Sequence, residues 1–192
     1  MADIMELLKT RRSYRKFEQK PVPEEVLRDI LEAARLSASG GNKQPLRYIV
    51  INDSSKLDSV LQYLTWAGQI PKEIGWPKDN EKPVLYIAVI ENVKESPYSE
   101  TDAGIADANM TLAAWSHGVG SCIICACNKP KLEELFGLGE NQRLHSIVAF
   151  GYPSHKSTVV DPGDDGKLNY YVDEEKNFYV KKRKIEDAVS YF

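Results

Sequence analysis

Apolar residues recur along the chain at two spacings, and the switch between them marks helices and strands. Near the start, Ile4, Leu7 and Leu8 make one stripe over two turns, with Asp3 and Glu6 spaced as a capping box. Pro21-Val22-Pro23 resets the direction. Val26, Ile30, Leu31 and Ala34 then form the inward face of a second helix, with Glu24, Glu25, Arg28 and Glu32 outside. Residues 47–52 predict a strand, and Ser54 or Ser55 caps a helix whose Leu57, Val60, Leu61 and Leu64 face inward. Val84 to Ile90 is almost continuously apolar, as a strand covered on both faces would be.

Residues 102–117 form the most helix-like stretch, with Ile105, Asn109, Leu112, Ala113 and Ser116 on one face. Ala103, Ala106, Ala108, Met110, Ala114 and Trp115 occupy much of the rest, so this helix belongs at the centre of a domain or at a subunit interface. Ser121 to Cys127 reads as a short central strand. Asn128 caps a helix bearing Leu132, Leu135 and Phe136 that Gly137 stops. Residues 146–150 predict another buried strand, 170–172 and 178–180 a small hairpin, and Ile185, Val189 and Phe192 a short last helix.

Three stretches break the periodicity. Ser37 to Pro45 is a loop of small residues and amides, whose paired Gly40 and Gly41 suit a sharp turn or a close approach to a ligand. Trp66 to Lys82 is long enough to be functional, its two tryptophans either lining a pocket or anchoring the loop to the core. Residues 161–167 predict an exposed turn. No repeat, low-complexity tract or linker divides the chain, so residues 1–192 are expected to form a single domain.

Charge narrows the function classes. The 192 residues carry a net charge of −3, which argues against a general nucleic-acid binder and makes any anion site a local basic cluster. Two such clusters exist, Arg11-Arg12-Ser13-Tyr14-Arg15-Lys16 and Lys181-Lys182-Arg183-Lys184. If the first is extended, Arg11, Ser13 and Arg15 share one face. Because termini of compact domains often lie close together, the clusters either converge on one phosphate or remain separate solvated patches. No apolar run is long enough for a membrane helix, and no signal pattern opens the chain, so no membrane partner is expected. Three cysteines make no disulfide framework, and a reduced cytoplasm is the expected location.

Cys122, Cys125 and Cys127 invite a metal reading, with His117 or His145 as a fourth ligand. Ile123, Ile124 and Ala126 instead make the segment a buried strand, and no metal site is expected. Gly118-x-Gly120 lacks the third glycine of a dinucleotide fingerprint and follows a helix, not a strand. No P-loop, G-x-S-x-G or H-E-x-x-H occurs. An anion site without an obvious nucleophile suits an enzyme whose cofactor carries the reaction.

The order of motifs resembles the FMN-dependent nitroreductase family over essentially the whole chain. The motifs are Arg11-Arg12-Ser13-x-Arg15-x-Phe17, Asn42-x-Gln44-Pro45, Asp102-x-Gly104-x-Ala106-x-x-Asn109, Gly118-Val119-Gly120-Ser121-Cys122, Gly151-Tyr152-Pro153 and Lys181-x-Arg183. The resemblance implies an α+β fold, with a mixed or antiparallel central sheet flanked by helices, in an intertwined homodimer that binds FMN between subunits. It implies that Arg11, Arg12, Ser13 and Arg15 hold the phosphate, ribityl chain and pyrimidine edge, joined by Lys181 and Arg183 at the phosphate. Ser39, Asn42 and Gln44 would reach in from the neighbouring subunit, and the backbone of Ile124, Cys125 and Ala126 would pass flavin N5. The implied activity is ping-pong hydride transfer from NADH or NADPH, through tightly bound FMN, to a small aromatic or quinone-type acceptor. A flavin-dependent dehalogenase and a non-catalytic FMN-binding module are the alternatives. The chain departs from the family pattern at Ala38, Leu46 and Cys125-Ala126, the last of which alters hydrogen bonding around N5.

Overall fold

The computed structural model describes residues 3–163 and 166–192, so the turn expected over 161–167 lies partly outside the described residues. In chain order the helices are α1 (Ile4–Thr10), α2 (Glu24–Arg35), α3 (Ser54–Leu61), α4 (Lys72–Gly75), α5 (Ser99–Ser116) and α6 (Lys129–Phe136). The strands are β1 (Leu46–Ile51), β2 (Leu85–Asn92), β3 (Gly120–Ile124), β4 (Gln142–Gly151), β5 (Ser157–Val160), β6 (Tyr171–Val172) and β7 (Phe178–Lys181).

The main sheet has the order β1-β2-β4-β3 and is antiparallel throughout. Strand side chains alternate between faces, and the unbroken apolar run of β2 supplies both. Leu85, Ile87 and Val89 pack with Val26, Ile30 and Ala34 of α2 and with Ala103, Met110 and Ala114 of α5. Tyr86, Ala88 and Ile90 pack on the opposite face with Val60, Leu61, Leu64, Trp66 and Leu132, and with Tyr14 and Phe17 from the first basic cluster. Both faces of the sheet are thus covered, giving the α+β architecture.

Several local expectations need correcting. Asp53, not a serine, caps α3, accepting from the amide and hydroxyl of Ser55. Asp3 caps α1 as expected, accepting from the Met5 amide. The buried side of α5 is Asp102, Ala103, Ala106, Asp107, Met110 and Ala114, whereas Ile105 is exposed. The run 121–127 leaves the sheet after Ile124, and Cys127 makes only an isolated bridge to Leu64. The last helix is a single 3-10 turn over Ile185–Asp187, with Ile185, Val189 and Phe192 exposed. The hairpin forms as β6 and β7, and β5 adds to it in parallel, making a second, three-stranded sheet. Trp66 is buried and Trp76 packs against the same core, so both tryptophans anchor the 66–82 loop, and Trp66 also lines a cleft.

Candidate functional site

The first basic cluster is extended and lies along the edge strand β3, with Ser13 bridging Ser121 and the Tyr14 amide donating to the Ser121 carbonyl at 2.8 Å. Two glycines make this close approach available. A Cβ on Gly120 would come within 2.8 Å of the Tyr14 ring, and one on Gly151 within 2.9 Å of Phe17. Successive side chains of an extended segment point to opposite sides. Arg12 and Tyr14 accordingly face one cleft, which also holds Lys9, Trp115 and Lys156, while Arg15 lines another.

Arg15 is held at its amide, its carbonyl and one guanidinium nitrogen. Its amide donates to His155 Nε2 at 3.0 Å, its carbonyl accepts from Trp66 Nε1 at 3.1 Å, and one guanidinium nitrogen reaches the Ser13 carbonyl at 3.4 Å. The guanidinium carbon stands 4.6 Å from the centre of the Tyr170 ring and 5.3 Å from that of Phe178, within cation–π range. Its cleft, about 140 Å³, is floored by Cys122 to Ala126 and walled by Trp66, Ala67, Gly68 and Tyr170. Arg15 is the charged residue of that lining among the described residues. Arg12 instead turns back on the carbonyls of Lys9 and Arg11 at the end of α1. Burial, then the charge of Arg11, lowers its pKa.

The Ser39 loop forms a second cleft with α2 and β1, lined by Ser37, Ser39, Gln44, Tyr48 and Asp102, and it shares no lining residue with the Arg15 cleft. Ser39 Oγ donates to Asp102 Oδ2 at 2.7 Å and accepts from the Gln44 amide at 2.9 Å, while the Gly40 amide donates to Asp102 Oδ1 at 2.9 Å. Asn109 Nδ2 donates to Ser37 Oγ at 2.8 Å. Within this framework Gly41, Asn42 and Gln44 all have positive φ, at 60°, 55° and 50°. Left-handed backbone at a non-glycine residue costs about 1–3 kcal/mol and persists where its surroundings over-determine it. Buried Asp102 supplies that constraint. Burial, then Asp107 and Asp102, pushes the Tyr48 phenol up to about 12, so it remains a donor at neutral pH.

Of the thiols, Cys122 is buried, Cys125 exposed and Cys127 half-buried. Burial raises all three pKa values, and among the described residues no three potential ligands group to hold a metal ion. Lys181 closes β7, three residues after Phe178 on which Arg15 rests, and Arg183 is exposed just beyond. One chain therefore brings Arg15 together with Ile124 and Cys125 in one cleft, places Ser39 and Gln44 in another, and sends Arg12 to a third.

Asp102, His155, Trp66 and Tyr170 hold these positions without being among the residues expected to bind. The motif Asp102-x-Gly104 was the available signal for Asp102. His155 sits in an irregular stretch whose fold depends on long-range pairing, which periodicity does not register, and Tyr170 precedes β6 at the start of the expected hairpin, where the pattern gave it no role beyond that strand.

The family model of the nitroreductase family matches residues 8–152. An Archaeoglobus fulgidus protein provisionally named NADH dehydrogenase/NAD(P)H nitroreductase is 28% identical, the match covering 85% of this chain and 93% of that one. An iodotyrosine deiodinase of Thermotoga neapolitana is 26% identical over 80% of this chain and 90% of its own. A solved nitroreductase family protein from Clostridium difficile 630 superposes with a TM-score of 0.68 at 27% identity, covering 80% of this chain and 86% of that one. His155, Tyr170 and Phe178 all lie beyond the residues that the family model matches.

Proposed function

Because the chain belongs to the nitroreductase family, we propose that it is an FMN-dependent NAD(P)H oxidoreductase, working as a homodimer on a small aromatic or quinone-type acceptor. The observation that carries this reading is the Arg15 cleft, in which a fixed guanidinium stands beside the main chain of Cys122 to Ala126. Such a group fits a flat heterocycle that gains negative charge along one edge, because preorganised positive charge needs no reorganisation when that charge develops. When bound there, FMN would supply two-electron hydride exchange at N5, first with a nicotinamide and then with the acceptor.

In this reading Arg15 stabilises charge at the pyrimidine edge, and Arg11 and Ser13 hold the ribityl chain and phosphate with Lys181 and Arg183. Arg12 would join them only by leaving the Lys9 and Arg11 carbonyls it now engages. Ser39, Asn42 and Gln44 would come from the second subunit, in keeping with the cleft that Ser39 and Gln44 line apart from Arg15 in one chain. The exposed apolar residues of α1, together with Leu36 and Ile105, support a large shared interface.

The test is an absorption spectrum of the purified protein supplied with FMN and desalted, followed by anaerobic addition of NADH and of NADPH. Retained flavin absorbance that one nicotinamide bleaches, and that an acceptor restores, is the expected result. A colourless protein overturns the reading, and retained flavin that neither nicotinamide bleaches leaves a binding module. Deiodinase relatives motivate a parallel assay with halogenated tyrosines, in which halide release would move the acceptor class towards aryl halides. Arg15→Ala should lower the potential of bound flavin, and an unchanged potential would remove Arg15 from the pyrimidine edge.

A further inference from the structure

We infer that His155 is a positioning residue for Arg15, holding it through a neutral imidazole and assisted by Tyr170 beneath the guanidinium; this rests on the reading of Arg15 given above. The segment beyond residue 152 adds little to the main sheet, yet it returns three rings to one residue. His155 Nδ1 lies 2.9 Å from the Lys156 carbonyl and so carries the proton, which leaves Nε2 as the acceptor for the Arg15 amide at 3.0 Å. The imidazole is packed between Tyr14 and Phe178, at centroid distances of 5.4 and 4.6 Å.

The same Phe178 ring, with Tyr170, lies under the Arg15 guanidinium. Tyr170 also accepts from the Gln69 amide at 3.4 Å, tying the Trp66 loop to the cleft. Trp66, from that loop, takes the Arg15 carbonyl. Arg15 is therefore clamped at its amide, its carbonyl and its cation, and its amide is the group that depends on an imidazole.

The chemistry requires the neutral form. A protonated imidazole would present N–H to N–H and place a second cation against Arg15. The charges that act most on the ring are Arg15, Lys16 and Glu81, while Lys9, Arg12 and Lys156 line the cleft it shares; burial together with Arg15 and Lys16 holds its pKa down to about 4. A buried donor left without its acceptor costs about 1–3 kcal/mol, enough to let Arg15 drift from the cleft.

Three variants test the assignment against the wild type. His155→Leu removes the acceptor, His155→Gln restores an acceptor oxygen at the same reach, and half-buried Tyr170→Leu removes the ring under the cation. Three quantities are read: FMN affinity, the potential of bound flavin, and the imidazole nitrogen resonances of the flavin-free protein. His155→Leu and Tyr170→Leu should each weaken FMN about tenfold and lower the potential, as Arg15→Ala does, while His155→Gln stays near wild type. The resonances should show an unprotonated Nε2 and a protonated Nδ1 at neutral pH. A folded His155→Leu protein with wild-type affinity and potential, or a protonated Nε2, overturns the inference. Should His155→Leu fail to fold, Tyr170→Leu and the resonances decide it. A wild-type protein that binds no FMN is a failure of the functional reading instead, and the resonances still report on His155.

Discussion

At the residue scale, buried titratable groups set the response to pH. His155 has an ordinary pKa of 6.5 unfolded and about 4 in place. As pH falls from 6.5 the unfolded chain takes up the proton first, so stability is lost between 6.5 and 4, on the order of 3 kcal/mol for the whole shift. Asp107, buried with both carboxylate oxygens on Ser146 Oγ, is pushed from 3.8 up to about 6. Its contribution has the opposite sign, being present at low pH and lost as pH rises through about 6. The two slopes oppose each other between pH 4 and 6. Urea unfolding across that window should show His155→Gln losing less stability than wild type on acidification, and Asp107→Asn losing more. Parallel curves for all three proteins would mean that neither group titrates as its surroundings require. Asp102 makes a separate case: Asp102→Ala strips acceptors from Ser39 and Gly40 and should cost about 1–3 kcal/mol, with faster amide exchange across residues 39–44.

At the element scale, what was legible in the sequence depended on how large the inward side chains are. The β2 run and the inward residues of α2 and α3 stand out because most are bulky aliphatics, and their elements formed as the pattern indicated, except that α3 ends at Leu61 and Leu64 is buried beyond it. The inward side of α5 combines three alanines with Ser99, Asp102, Asp107 and Thr111 around Met110, and such small and polar residues carry little hydrophobic signal. Ile105 and Leu112 therefore dominated the periodicity while facing outward or only half-covered. Polar positioning groups such as Asp102 and His155 are invisible to an apolar pattern, because their partners lie 62 to 140 residues away in sequence. Motif order, rather than periodicity, pointed to the Arg15 and Ser39 segments. The first basic cluster also depends on glycine where it crosses β4. Gly151→Ala would press a Cβ to within 2.9 Å of the buried Phe17 ring and should cost about 1–3 kcal/mol, read as a lower urea midpoint with unchanged slope.

On the scale of the whole molecule, one chain keeps the Arg15 and Ser39 clefts apart and carries uncovered apolar surface. No residue of α1 is buried, although Ile4, Met5 and Leu8 are all on it, each about half exposed. A seven-residue helix with such a face is stable only if something covers it. A second copy would do so and could bring a Ser39 loop to each Arg15 cleft. Leu8→Glu should therefore shift the sedimenting species from dimer to monomer and weaken FMN binding with it. A monomeric wild type that binds FMN fully would break the link between assembly and site. The most direct measurement of the central claim is an equilibrium titration of FMN into wild-type and Arg15→Ala proteins, followed by flavin fluorescence. Saturation at one FMN per chain, with Arg15→Ala weakened about tenfold or more, is the expected result. No saturable binding, or equal affinity in the two proteins, would contradict it.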